Sequence, residues 1–314
     1  MQTLFLGYSS IGRRRILPAL AWAGMPPPEV ASVSHPKEEL LASGVARSYG
    51  SYEQALRESR AEIVYVSTIN SLHKELAEAA LRHGFHVVVD KPAFLSEPET
   101  EAMVRLAERE GRCLAEALVF GLHPRVQAAR AAFKNAGAPA THVVASFSVP
   151  PLAANDFRYV KAMGGGAIFD LGSYALASGR LFFDAEPVEI VARRTAERGD
   201  VETGFSLLAL YPGGRSLVGI FGYETAYLNH LQVTGPGLSV LMDRVFSPPG
   251  DLSTEMVLQT ATGAVIESFP PAHNFALFFQ QVVAKIKSGN VRAFDNQLLS
   301  ASRGIDRIHA SLST

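Results

Sequence analysis

The chain has 314 residues, of which 47% are hydrophobic and 19% charged, with a formal net charge of −1. That composition supports a large core and excludes a disordered chain, and so balanced a charge gives no bulk attraction for nucleic acid or an anionic membrane. The single cysteine, Cys113, excludes an intrachain disulfide framework and a cysteine zinc site, and fits a reducing, cytoplasmic setting.

The length suits about two domains of ~150 residues. No stretch reaches the ~18–20 uninterrupted apolar residues of a membrane span. The start "MQTLFLGYSS" lacks a charged region followed by a long apolar core, so a soluble chain without a signal peptide is expected.

The first half alternates short apolar runs with helical patterns. "TLFLG" (3–7) predicts a strand ending in glycine, and residues 11–23 a helix, with Trp22 packing it on the sheet. "EVASVS" (29–34) and "ARSYG" (46–50) predict two further strands, the second weak, and "EIVYVST" (62–68) a β-branched one. In "SLHKELAEAALRHG" (71–84), Leu72, Leu76, Ala79 and Ala80 share one helical face and Gly84 closes it. "HVVVDKP" (86–92) is a buried strand stopped by Pro92. "SEPETEAMVRLAEREG" (96–111) is a helix with a Ser N-cap, and "CLAEAL" (113–118) a sixth strand. Alternation of this kind with fully apolar strands indicates a doubly wound parallel sheet.

The second half has another rhythm. A helix at 123–133 precedes longer strand-like runs at 141–149, 187–195, 204–224, 229–246 and 255–269, with "YPGGRS" and "TGPG" as hairpin punctuation. Residues 274–288 and 295–312 are helical. An α+β domain with an open, mostly antiparallel sheet is expected, giving domains of 1–121 and 122–314.

The first strand ends in "GYSSIG", which keeps Gly7 and Gly12 of G-x-G-x-x-G but has Ser9 at the middle glycine. Strand, turn and helix start in that order suit a dinucleotide pyrophosphate, with Ser9, Ser10, Ile11 and Gly12 lining the turn. The serine hydroxyl could itself contact phosphate; an ordinary tight strand–helix turn is the alternative. The second strand carries no acid at its tip: it ends "SVSHPKE", with Ser34, His35 and Lys37. A 2′-phosphate suits Ser34, Lys37 and Arg13, so NADP(H) is favoured over NAD(H).

Four ordered motifs resemble those of the glucose–fructose oxidoreductase / inositol dehydrogenase (Gfo/Idh/MocA) family. They are "GYSSIG", "TINSLHKELAEAALRHGFHVVVDKP", "AEALVFGLHPRVQ" and "NDFRYVKAMGGGAIFDLGSY". The resemblance implies a Rossmann domain followed by an α/β domain, and NAD(P)-dependent oxidoreduction of sugars, polyols and related molecules. It implies that Thr68, Asn70 and His73 lie near the cofactor, that Lys91 precedes a cis Pro92, and that Lys91 and Tyr174 meet at the nicotinamide. Asp170 would bind substrate, and Arg158 and Tyr159 could line its pocket.

Tyr174 stands where the family often has His, and "DRVFSPP" (243–249) is similar to the nucleotide-hexose 3-ketoreductases of that family. The expected chemistry is hydride transfer at a sugar carbon. Tyr174 donates the proton, Lys91 polarises the oxygen and tunes Tyr174, Asp170 holds a neighbouring hydroxyl, and no metal takes part. A keto-sugar reductase, a free-aldose or dihydrodiol-type dehydrogenase, and an inactive sugar- or dinucleotide-sensing regulator are the alternatives. A homodimer or homotetramer formed through the open sheet is expected, with no nucleic-acid or membrane partner. Within "GGGAIFDLGSY" (164–174), the glycines are expected to clear the approach to cofactor or substrate. Gly172 is expected to let the Asp170/Tyr174 face pack closely.

Overall fold

The structure is a computed structural model that describes residues 1–312. It comprises two compact units, Met1–Leu118 with His273–Ser302, and Val119–Ala272 with the residues from Arg303 on. Among the described residues, no helix is long and apolar enough to cross a membrane.

The first unit holds six parallel strands: β1 (Thr3–Leu6), β2 (Glu29–Ala31), β3 (Arg47–Tyr49), β4 (Ile63–Val66), β5 (His86–Val89) and β6 (Leu114–Glu116). Their spatial order is β3-β2-β1-β4-β5-β6. Every residue of β1, β4 and β5 is buried, so these strands read as continuous apolar runs and leave both sheet faces to helices. The helices are α1 (Leu17–Trp22), α2 (Lys37–Ala42), α3 (Tyr52–Glu58), α4 (His73–Arg82) and α5 (Glu97–Glu110). As its sequence predicts, α5 starts where Ser96 accepts the Glu99 N–H and stops at Gly111 in the left-handed conformation. Chain order reverses between β1 and β4, the place where open α/β sheets build ligand crevices at their strand ends.

Two details depart from expectation. The helix after β1 starts at Ser10 and runs through a π-helical segment, Gly12–Ile16, before α1 proper. Trp22 does not pack on the sheet: it is 54% exposed, while Ile16, Ala19 and Leu20 supply the buried stripe.

The second unit is built on an eight-stranded sheet of β7 (His142–Ser148), β8 (Glu189–Arg198), β9 (Val201–Tyr211), β10 (Arg215–Gly222), β11 (Leu228–Gly235), β12 (Leu238–Asp243), β13 (Thr254–Thr260) and β14 (Gly263–Phe269). Their order is β14-β13-β12-β11-β7-β10-β9-β8, antiparallel except for the β7–β10 pair. The helix α6 (Pro124–Asn135) precedes β7, and α7 (Ala167–Phe183) packs across β7, β9 and β10. Of the two C-terminal helices, α8 (Asn274–Lys287) belongs to the first unit, and α9 (Asp295–Leu312) begins in the first unit and ends in the second.

Alternation divides each central strand of this sheet between two faces. Phe205, Leu207, Leu217 and Phe221 are buried. On the other face Val191, Leu208, Val218 and Val144 stand side by side in register, each more than a third exposed.

Candidate functional site

A candidate dinucleotide site grows from the carboxyl ends of β1, β4 and β5 in the first unit. Gly7 turns the chain out of β1 with φ +93°, and a Cβ there would sit 2.2 Å from the Ser67 carbonyl oxygen. Glycine is therefore needed to let the loop cross the end of β4. The first helical turn begins at Ser10 and Ile11, whose backbone N–H groups point out of the helix start. Arg13, Ser34 and Lys37 are exposed, Lys37 as the first residue of α2. Ser34 Oγ lies 3.0 Å from His35 Nδ1. A glycine cradle, a helix start and hydroxyl and cationic side chains without an acid at the end of β2 fit the phosphates of a dinucleotide.

Ser9 departs from its expected role. Its Oγ accepts the Gly12 N–H at 3.0 Å and lies 2.6 Å from Ser67 Oγ, so the hydroxyl is engaged within the protein. His73, expected near the cofactor, is wholly buried, with Nδ1 2.9 Å from the Pro92 carbonyl and Nε2 3.3 Å from that of Thr68. Burial lowers its pKa, and the ring ties the start of α4 to the turn after β5 instead of facing a ligand. Asn70 is buried at the head of the same segment, and Thr68 is partly buried with its hydroxyl on the Ile69 carbonyl.

Lys91 is partly buried in the turn after β5, and the Lys91–Pro92 bond is cis. Before it, Asp90 receives the Tyr65 hydroxyl on Oδ1 and the Ser67 hydroxyl on Oδ2, the latter at 3.1 Å. Burial raises the Asp90 pKa, opposed by these hydrogen bonds and by His73 and Lys91. After it, the Ala93 N–H is held at 3.0 Å by the buried carboxylate of Glu116 on β6.

The candidate substrate residues lie in the second unit. On α7, Asp170 and Tyr174 stand one turn apart on one face, with Asp170 in the first turn, where the helix dipole favours an acid. Asp170 Oδ2 accepts Arg158 Nε at 3.1 Å and the Tyr223 hydroxyl at 3.0 Å. Arg158 also pairs through Nη1 with Asp156 at 3.2 Å. The Asp170 carboxylate holds the Arg158 guanidinium well above its ordinary pKa, and burial keeps the Tyr223 phenol neutral, so both are donors. The Tyr174 ring is boxed by Phe120, Phe147 and Phe246, with centroids 5.9, 5.4 and 5.3 Å away.

The box has its own supports. The Phe246 N–H donates to Asn229 Oδ1 at 3.0 Å, and Arg125, fully buried at the start of α6, donates to the Arg244 and Glu255 carbonyls. Its neighbour His123 caps α6 by accepting the Arg125 N–H; burial and the guanidinium push its pKa down to about 4, leaving the ring neutral.

The glycine run serves the chain's own backbone, which corrects the expected role. A Cβ on Gly165 would meet the carbonyl oxygens of Arg158, Phe157 and Val160 at 2.6–2.8 Å. Gly166 has φ +117°, and a Cβ there would lie 2.4 Å from the Glu202 carboxylate, which accepts the Ile168 N–H and so caps α7. Gly172 faces Ile305 and Ile308 of α9, away from the Asp170/Tyr174 side. Sequence reasoning missed Tyr223, Glu202, Ser67 and the three phenylalanines. Phe120 and Phe246 lay in quoted motifs, "AEALVFGLHPRVQ" and "DRVFSPP", but without a role, and the pairings that bring these residues together are invisible in spacing.

Comparisons with known proteins bear on the family and the fold. A family model described as an oxidoreductase family with an NAD-binding Rossmann fold, GFO/IDH/MocA, matches residues 1–118, and the model of that family's C-terminal domain matches residues 127–239. The chain is 34% identical over 278 residues to a dTDP-3,4-didehydro-2,6-dideoxy-alpha-D-glucose 3-reductase of Streptomyces violaceoruber, covering 86% of this chain and 80% of that protein. It is 26% identical to a D-xylose 1-dehydrogenase (NADP(+)) of Haloferax volcanii, covering 98% and 96%. Among solved structures, a 3-ketoreductase from Actinomadura kijaniata in complex with NADP and TDP-benzene superposes with a TM-score of 0.91 at 28% identity, over 99% of this chain and 98% of that one.

Proposed function

This chain belongs to the GFO/IDH/MocA oxidoreductase family, and from that premise we propose that it is an NADP(H)-dependent reductase of a nucleotide-activated keto-sugar. The observation that carries the reading is the α7 face, where a phenol in an aromatic box stands one turn from a carboxylate fixed by Arg158 and Tyr223. Similarity to two 3-ketoreductases supports the substrate class.

When bound, the nicotinamide gives or takes the hydride. Tyr174 supplies the proton that the developing alkoxide needs, and Lys91 places a positive charge on that oxygen. Asp170 and Arg158 orient a neighbouring sugar hydroxyl, and the phenylalanine box keeps water from the face of the Tyr174 ring. Arg13, Ser34 and Lys37 are the groups we assign to the 2′-phosphate. A free-aldose dehydrogenase is the second reading, favoured by the xylose dehydrogenase likeness over nearly the whole chain.

Titration with NADPH and NADH, followed by a panel of dTDP-keto-sugars and free aldoses, tests both readings. NADPH is expected to bind at least about tenfold more tightly, a difference of about 1.4 kcal/mol, and the dTDP-keto-sugars to turn over faster. Tighter NADH binding, or turnover of free aldoses alone, would contradict the proposal.

We also propose that the outward row of Val191, Leu208, Val218 and Val144 is covered by a second copy of the chain, since a contiguous apolar face of this kind marks an interaction surface. Light scattering should give a dimer or tetramer, and Val218→Glu combined with Ile220→Glu, at a residue exposed on the same face two residues on in β10, should give a folded monomer. A wild-type monomer at all concentrations would refute the interface.

A further inference from the structure

The turn that carries Lys91 is held by buried groups from several elements, and one of those holds reaches back to the dinucleotide loop. Asp90, when ionised, can only accept, so the Ser67 hydroxyl donates its one proton to Asp90 Oδ2 at 3.1 Å. The 2.6 Å contact between Ser67 and Ser9 must then carry the Ser9 proton toward Ser67. With its proton committed there, Ser9 Oγ accepts the Gly12 N–H at 3.0 Å. The result is a one-way chain, Gly12 N–H to Ser9 to Ser67 to Asp90, running from the first helical turn after β1 to the residue before Lys91. A fingerprint glycine at position 9 could not make it.

Space around the chain is tight. A Cβ on Gly12 would lie 3.2 Å from Ser67 Oγ, and one on Gly7 2.2 Å from the Ser67 carbonyl oxygen. Ser67 is almost fully buried at the end of β4, the strand between β1 and β5. The other Asp90 oxygen is taken by Tyr65, buried in the same strand. The loop after β1 and Asp90 thus share one hydroxyl, that of Ser67.

We propose that Ser9 is a positioning residue: through Ser67 and Asp90 it couples the geometry of the dinucleotide loop to the placement of Lys91. This rests on the function proposed above for its catalytic consequence, and not for the coupling itself.

The test compares wild type, Ser9→Ala, Ser67→Ala and the double variant, each first shown to melt cooperatively. Hydrogen–deuterium exchange of the free protein is read over residues 90–93. Each single variant should speed exchange there by about five- to tenfold, the loss of one hydrogen bond, and the double variant no more than Ser67→Ala alone. With NADPH and a turned-over sugar, kcat should fall by about the same factor while the dissociation constant of NADPH stays within about threefold. Ser9→Gly, which restores the fingerprint, should show the same kcat loss, and Ser9→Thr should recover it. Unchanged exchange at 90–93 in Ser9→Ala, additive effects in the double variant, or a loss confined to NADPH affinity would each overturn the coupling. Because exchange needs no turnover, a wild type that reduces no sugar would refute the function alone.

Discussion

Replacing Tyr174 by phenylalanine should lower kcat by about 10²–10⁴-fold, the usual contribution of a positioned proton donor, with NADPH affinity within twofold of wild type. The substitution removes one oxygen. The ring keeps its box of Phe120, Phe147 and Phe246, so the fold and the α7 face are untouched. Lys91 and Asp170 remain, so the residual rate measures what charge and orientation achieve without the proton. Single-turnover kinetics at saturating NADPH separate this loss from any effect on product release. A rate within threefold of wild type would remove Tyr174 from the chemistry.

The second large effect is on stability. Gly166→Ala places a Cβ 2.4 Å from Glu202 Oε1 on a backbone at φ +117°. Strain at such a position, with displacement of the carboxylate that caps α7, should cost about 3 kcal/mol, or about 6–12 °C in melting temperature for the second unit. Gly24→Ala is the control: it also has positive φ, +69°, but no atom lies within 4 Å, so only the backbone preference is lost. Because the Gly166 carbonyl accepts the Asp170 N–H, the folded fraction of Gly166→Ala should also lose activity. Equal melting temperatures for the two variants would show that Glu202 yields freely.

Much of the fold was legible because its causes are local. β1, β4 and β5 are buried throughout and almost wholly apolar because helices cover both faces of their sheet, and α5 carries its own start and stop signals at Ser96 and Gly111. What stayed hidden depends on partners distant in sequence. Nothing near Asp170 announces Tyr223, which arrives through the pairing of β10 with β7 and β9. The triple glycine looked like room for a ligand because its crowding comes from the Arg158, Phe157 and Val160 carbonyls and from Glu202. Ser9 looked like a worn glycine because its partner, Ser67, lies 58 positions away. Trp22 looked like core because an aromatic in a short helix usually is, yet Ile16, Ala19 and Leu20 already fill that stripe.

The most direct test of the central claim follows the hydride itself. The protein is incubated with NADPH deuterated at the nicotinamide 4-position and a dTDP-linked keto-sugar, and the sugar product is weighed by mass spectrometry. The account predicts one deuterium on the reduced sugar carbon in the wild type and almost none in Tyr174→Phe over the same time. A wild type that binds both molecules and transfers no deuterium would contradict it and leave a sensing protein in place of an enzyme.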